Sequence, residues 1–178
     1  MLKLNEGERH AIAFVLDGQD IRGFAEPRML LSDFLRQELG RSEVHVGCEH
    51  GVCGACTILI DGKPARSCLV FAVQAAGRTV NTIRSFCGHD GQLSDLQQSF
   101  RRHHGLQCGY CTPGILVSTE AYLKNNEQPS ENQVRAMLSG HICRCTGYVG
   151  MVDAILDTAK ARTSSTKAAH PVNATREQ

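Results

Sequence analysis

The cysteines constrain this chain more than any other feature. Eight of its nine cysteines fall into two sets of four, spaced C-x4-C-x2-C-x11-C in the first set and as a C-x2-C pair with a later C-x-C pair in the second. The first cysteine set is Cys48, Cys53, Cys56 and Cys68, and the second cysteine set is Cys108, Cys111, Cys143 and Cys145. Because the sequence begins with no secretion signal, we expect metal or redox chemistry here and not disulfides.

The first cysteine set has the spacing that holds a plant-type 2Fe–2S cluster. Such a cluster takes two thiolates on each iron, so three ligands from one short loop require the backbone to curl around it. Gly47, Gly51 and Gly54 permit that curl and let peptide N–H groups point at the sulfurs. Zinc is the main alternative, although zinc sites usually combine two short cysteine pairs.

The second cysteine set lies at the predicted starts of two helices. Pro113 follows Cys111 closely and suits the first turn of one helix, and another helix follows Cys145. The positive end of a helix dipole and its free N–H groups favour anionic thiolates, and Arg144 adds a positive charge. We therefore expect a second two-iron cluster, with zinc as the alternative that two cysteine pairs alone also permit.

Strand patterns dominate the first half of the chain. Short apolar runs, turn dipeptides such as Asp17-Gly18, and one helical stripe closed by Gly40 predict a small mixed sheet wrapped on one helix. The predicted strands are residues 10–16, 21–25, 44–46, 57–60 with a return through 63–69, and 78–83, and the predicted helix is residues 29–40.

Strand patterns disappear after residue 93, and four short helices are predicted instead. Ser94 and Ser130 suit helix N-caps, and Gly140 suits a helix end. The helices are expected at residues 94–102, from residue 112, at residues 130–140 and at residues 148–162. The fold class is therefore α+β, with one cluster-binding domain at residues 8–84, a helical one at residues 88–162, and a flexible polar tail at residues 163–178.

Composition argues against several classes of function. The formal net charge is +1, tryptophan is absent, and no basic stretch or aromatic platform indicates a nucleic-acid partner. The apolar run Ala11–Leu16 is too short to span a membrane, so we expect a cytoplasmic protein. No catalytic acid, base or nucleophile can be assigned. Cys87 is expected to be a buried packing residue, and His45 and His50 are not needed as ligands because each set already has four cysteines.

The two cysteine sets, with the stretches QCGYCTPG and CRCTGY, resemble the iron–sulfur small subunit of the xanthine oxidase family of molybdenum hydroxylases. The resemblance covers Ala11 to Arg162 and is closest to the three-subunit bacterial type. It implies an N-terminal β-grasp, plant-type ferredoxin domain with one 2Fe–2S cluster, followed by a C-terminal four-helix bundle with a second. The partners would be a large molybdopterin subunit and a medium FAD subunit, in an αβγ heterotrimer or its dimer.

The resemblance also implies a direction of electron transfer. Electrons would pass from molybdopterin to the cluster of the second cysteine set, then to the cluster of the first set, and finally to FAD. By the same resemblance, Gln107 and Cys145 would approach the pterin. His141 departs from the family pattern, which often has Asn before the last cysteine pair, and we expect this to affect only a local hydrogen bond and the cluster potential.

Two other functions remain as alternatives. A freely diffusing two-cluster ferredoxin would be expected to carry a strongly charged, mostly acidic surface, which a net charge of +1 does not favour. A zinc-stabilised interaction module would bind zinc through the same cysteines, would contain no sulfide and would be colourless.

Overall fold

In the computed structural model, the described part of the chain comprises residue 5, residues 7–88 and residues 91–169, the last four as backbone only. A sheet of five strands forms the first half, and four helices form the second. The strands are β1 (His10–Leu16), β2 (Gln19–Ala25), β3 (Thr57–Ile60), β4 (Lys63–Arg66) and β5 (Thr79–Asn81). The helices are α1 (Leu31–Asp33), α2 (Asp95–Arg102), α3 (Thr112–Leu123), α4 (Glu131–Leu138) and α5 (Tyr148–Ala169).

The sheet is mixed, with the strand order β2-β1-β5-β3-β4. β1 and β2 form an antiparallel hairpin in which Leu16 faces Gln19, and β3 and β4 form a second hairpin in which Thr57 faces Arg66. The short β5 joins the hairpins, parallel to β1 and antiparallel to β3. Thr57 and Arg66 therefore lie at the open end of the second hairpin, at the edge of the sheet that meets the cysteine loops.

The core of the first half follows the alternation of β1. Ile12, Phe14 and Leu16 point inward and are buried, as strand geometry requires of every second residue. Phe34 packs against Phe14 with ring centroids 6.1 Å apart. A second core lies among the helices and includes Phe100, so each half buries its own apolar side chains.

The helix predicted at residues 29–40 is shorter and wider than expected. Only α1 is α-helical, and Phe34–Glu38 continues it as a π-helical turn that brings Leu39 N–H to Phe34 O at 3.2 Å. A π turn adds a residue to the helical turn, which hydrophobic spacing alone does not reveal. Phe34 and Leu35 are both fully buried as a result.

One strand prediction was wrong, and another was too long. Residues 44–46 form no strand, because side chains and not a neighbouring strand bind their carbonyls: Arg36 donates to Val44 O and Tyr110 to Val46 O, each at 2.8 Å. The strand predicted at residues 78–83 is limited to β5, since Ile83 already begins a short 3-10 helix.

The helical half begins its helices where the sequence indicated. Ser94 and Ser130 cap α2 and α4 with reciprocal Gln side chains, and Pro113 lies in the first turn of α3. α5 runs to Ala169, so the first part of the predicted tail, residues 163–169, is helical; residues 170–178 of that prediction lie outside the described residues. Among the described helices, none is both long and apolar enough to cross a bilayer.

The two halves meet along a seam between α3 and the first cysteine loop. Gly114 lies so close to this loop that a Cβ there would stand 2.3 Å from Gly54 O and 2.8 Å from Ala55 O. Next to it, the Ile142 N–H donates to Cys53 O at 2.9 Å. We call this contact the interdomain seam, and its close approach requires glycine at position 114.

We expect Gly114→Ala to destabilise the protein, because the added methyl group would force the backbone of the cysteine loop away from α3. The expected loss is roughly 1–3 kcal/mol, as for other overpacked contacts. Thermal unfolding checks this, with Gly147→Ala as the matched control, since a Cβ there would meet its nearest neighbour at an ordinary 3.6 Å. Equal melting temperatures for the two variants would contradict the close packing of the seam.

Candidate metal centres

The first cysteine set converges at the open end of the β3–β4 hairpin. Cys48 and Cys53 lie in the loop before β3 and are half-buried, whereas Cys56 and Cys68 are each only 2% exposed. Gly51 lies at the tight part of this loop with φ +76°, and a Cβ there would meet Leu69 at 2.3 Å. The loop can therefore close over its cysteines only with glycine at this position.

Peptide N–H groups and burial shift the pKa values of two thiols of the first set in opposite directions. Donation from the Cys53 N–H, 3.4 Å from Cys48 Sγ, is the largest of several effects that lower the pKa of Cys48 to about 6. Burial, followed by the contact with Cys56, raises the pKa of Cys68 to about 11. The half-buried Cys48 thiol is thus ready to ionise, whereas the buried Cys68 thiol needs a nearby cation to become a thiolate.

The second cysteine set lies near the N-termini of α3 and α5 and also combines buried with more exposed thiols. Cys111 is the N-cap residue of α3, and Cys145 stands three residues before the start of α5. Cys111 and Cys143 are buried, Cys145 is half-buried and Cys108 is exposed. The Tyr110 N–H lowers the pKa of the Cys108 thiol, whereas burial raises the pKa of Cys111 to about 12.

Each set is organised as two pairs of touching thiols. Cys48 contacts Cys53 and Cys68 contacts Cys56 in the first set. In the second set, the pairs are Cys108 with Cys145 and Cys111 with Cys143. Every set therefore offers an outer and an inner pair, which matches the need of a diiron cluster for two thiolates on each iron.

The pairing fits a two-iron cluster better than a single ion. Zinc needs four thiolates at about 2.3 Å from one centre. In the described part of the chain, no three His, Cys, Asp or Glu side chains are grouped closely enough to hold one metal ion. The residues present therefore fit a 2Fe–2S cluster in each set, which would supply a one-electron carrier when bound.

His141 occupies the interdomain seam, with Nε2 bound to a neighbouring side chain and Nδ1 without a hydrogen-bond partner among the described residues. Its ring is 4% exposed, and Nε2 lies 2.8 Å from the Ser118 hydroxyl. Burial, and then the positive charge of Arg66, lowers the pKa of His141 to about 4. Its Nδ1 faces Gly54, where a Cβ would stand 2.4 Å away. The residue that departs from the family pattern is thus a neutral packing group between the two cysteine sets.

The other residues that the sequence analysis singled out lie in different surroundings. Gln107 and Cys145 are brought together, because the Gln107 side-chain amide donates to Cys145 O at 3.0 Å. Cys87, which we expected to be buried, is exposed, with its sulfur 3.6 Å from Ile83 O. That prediction was wrong because the junction between the halves lies at the surface. His45 binds no cysteine; its Nδ1 lies 2.7 Å from Tyr110 O.

Two tyrosines that position the cysteine loops were missed by sequence reasoning. The Tyr110 ring stacks on His45 at 4.5 Å, and its hydroxyl donates to Val46 O, so it joins the second set to the loop before Cys48. The Tyr148 hydroxyl accepts from the Cys143 N–H at 2.7 Å and donates to His141 O at 3.1 Å. Their nearness to the cysteines in sequence was the available signal.

Two protein families match successive parts of the chain, one around each cysteine set. The family described as 2Fe-2S iron-sulfur cluster binding domain matches residues 14–82, and the family described as [2Fe-2S] binding domain matches residues 82–156. Caffeine dehydrogenase subunit gamma of Pseudomonas sp. (strain CBB1) is 49% identical over 149 residues, which cover 82% of this chain and 89% of that protein.

The chain belongs to the small iron–sulfur subunits of the xanthine oxidase family. The nicotine 6-hydroxylase small subunit of Paenarthrobacter nicotinovorans is also 49% identical, over 74% of this chain and 79% of that protein. A chain of quinoline 2-oxidoreductase from Pseudomonas putida 86 superposes with a TM-score of 0.84 at 46% identity, covering 89% of this chain and 97% of that one. As a member of this family, the protein is an electron-transfer subunit of a molybdenum hydroxylase.

We expect the purified protein to contain about four irons and about four acid-labile sulfides per chain, as two 2Fe–2S clusters require. Cys56→Ser should remove about half of both, because it breaks one inner pair and leaves the other set intact. Metal and sulfide analysis measures this, with Cys87→Ser as the control that keeps the full content. Zinc without sulfide in the native protein would contradict the assignment.

Proposed function

We propose that this chain carries electrons from the molybdopterin centre of a large subunit, through clusters on the second and then the first cysteine set, to FAD on a medium subunit. In this assignment, all eight cysteines of the two sets are iron ligands, and Gln107 and Cys145 face the pterin. The N-terminal sheet with its cysteine loop serves as a β-grasp ferredoxin domain, and α2 to α5 serve as the four-helix bundle.

The observation that carries this proposal is the hydrogen bond across the interdomain seam. Ile142 N–H donates to Cys53 O at 2.9 Å, and Ile142 directly precedes Cys143. A cysteine of the first set and a cysteine of the second are therefore separated by one hydrogen bond and a few covalent bonds. Gly114 and His141 both pack against Gly54, which directly follows Cys53.

Exposed apolar side chains near both cysteine sets support a role inside a larger complex. Leu69, next to Cys68, is 59% exposed, and Val52, next to Cys53, is 60% exposed. Near the second set, Ile142 is 52% exposed and Val149 66% exposed. Apolar residues grouped beside a functional site are typical of surfaces that partner proteins cover, and they favour a subunit over a freely diffusing ferredoxin.

The proposed order of the two clusters is supported by what lies beside the outer pair of the second set. The outer pair of the second set, Cys108 and Cys145, carries the exposed Gln107 amide beside it, which provides hydrogen-bonding groups for a polar cofactor. The outer pair of the first set, Cys48 and Cys53, lies in a different half of the molecule. We place the complex in the cytoplasm, where a reducing environment keeps cysteines available as metal ligands.

Cys108→Ser, introduced into the complete complex, tests the order of transfer. We expect substrate to leave the cluster on the first set oxidised, because the only carrier between it and molybdopterin is lost. Dithionite should still reduce that cluster, since an artificial donor reaches it directly. Rapid-freeze electron paramagnetic resonance separates the two clusters. Equal loss of reduction by substrate and by dithionite, with Cys87→Ser unaffected, would contradict the proposed order.

A further inference from the structure

Arg66 contacts residues that are close in sequence to an inner cysteine of each set. Its Nη2 donates to Gly140 O at 2.7 Å, and its Nη1 donates to the Thr57 hydroxyl. Thr57 directly follows Cys56, and Gly140 stands three residues before Cys143. One guanidinium group thus contacts the neighbours of an inner cysteine of each set, although its own strand, β4, belongs to the first half.

The contacts of Arg66 continue into the interdomain seam. The Thr57 hydroxyl donates to Gly54 O at 2.6 Å, and Gly54 lies against both Gly114 and His141. Two separate hydrogen bonds therefore cross between the halves here, one from Arg66 to Gly140 and the other from Ile142 to Cys53. A planar guanidinium group that donates to one oxygen in each half is well suited to fix the distance between the two halves.

The charge of Arg66 is not neutralised by a carboxylate. The acceptors of its two hydrogen bonds are a carbonyl and a hydroxyl, and within the described residues it forms no ion pair. By contrast, Arg78 is paired with Asp61 at 2.8 Å, and Arg84 with Glu43 at the same distance. An arginine remains protonated under all ordinary conditions, so the seam carries a permanent positive charge.

We propose that Arg66 is a positioning residue that fixes the two clusters relative to each other and raises the reduction potential of both. This inference rests on the proposed function. Each 2Fe–2S cluster becomes more negative by one charge when it accepts an electron. A fixed positive charge held against Thr57, next to Cys56, and against Gly140, three residues before Cys143, stabilises the reduced state of each cluster, and the partly buried position limits screening by solvent.

The test compares two substitutions of Arg66 in the complete complex. Arg66→Gln keeps an amide donor but removes the charge, whereas Arg66→Lys keeps the charge on a flexible stem. We expect Arg66→Gln to shift the midpoint potentials of both clusters downward in redox titrations followed by electron paramagnetic resonance, and Arg66→Lys to restore most of that shift. Arg66→Met serves in place of the glutamine variant if that variant fails to assemble.

Arg78→Gln is the matched control for charge removal. Arg78 pairs with Asp61 in the turn of the β3–β4 hairpin, at the opposite end from Thr57 and Arg66, so its loss should leave both potentials unchanged. Iron content is measured in every variant, so that a shift is read only from intact clusters.

Two outcomes would overturn the inference. Potentials in Arg66→Gln that match those in Arg78→Gln would show that the charge does not act on the clusters. Equal shifts in Arg66→Gln and Arg66→Lys would assign the effect to lost geometry alone. Absence of two clusters from the native complex would defeat the proposed function itself, whereas intact clusters with unshifted potentials would defeat only the role of Arg66.

Discussion

Buried thiols cannot all ionise unless a cation lies among them, and this constraint organises the molecule. Burial raises the pKa of Cys68 to about 11 and that of Cys111 to about 12, so without a nearby cation these two thiols stay protonated at neutral pH. Ferric ions bound at the two sets would replace those protons and make these buried thiols ligands. Binding of iron would therefore be coupled to the stability of the loops that contain the cysteines, since the ligands must lose their protons to bind it.

The interdomain seam makes one carrier out of two cluster-binding halves. Each half has its own apolar core, so each could bury its own side chains without the other. Gly114, His141 and the Ile142–Cys53 hydrogen bond nevertheless bring their cysteine sets into close contact. The carbonyl of Cys53 lies at this seam, and exposed apolar side chains are adjacent in sequence to Cys53, Cys68 and Cys143.

The sequence predicted those features that depend on local spacing. The cysteine gaps defined both sets, Pro113 marked the start of α3, and the serine caps marked α2 and α4. Features that depend on contacts between distant segments were not predictable: Tyr110 removes the expected strand at residues 44–46 by binding Val46 O, and a π turn widens the helix after Asp33. The sequence did not indicate the contacts of Arg66, because its partners are a carbonyl and a hydroxyl that only folding brings close to it.

Mössbauer spectroscopy of the iron-57-labelled complex tests the central claim most directly. After reduction, a diiron cluster holds one ferric and one ferrous ion, each with two cysteine thiolates, so the account predicts about two such mixed pairs per chain. The two pairs should differ slightly, because one set is closed by β3 and β4 and the other by α3 and α5. A spectrum of isolated, uncoupled iron, or of about one pair per chain, would contradict the binding of a diiron cluster by each cysteine set.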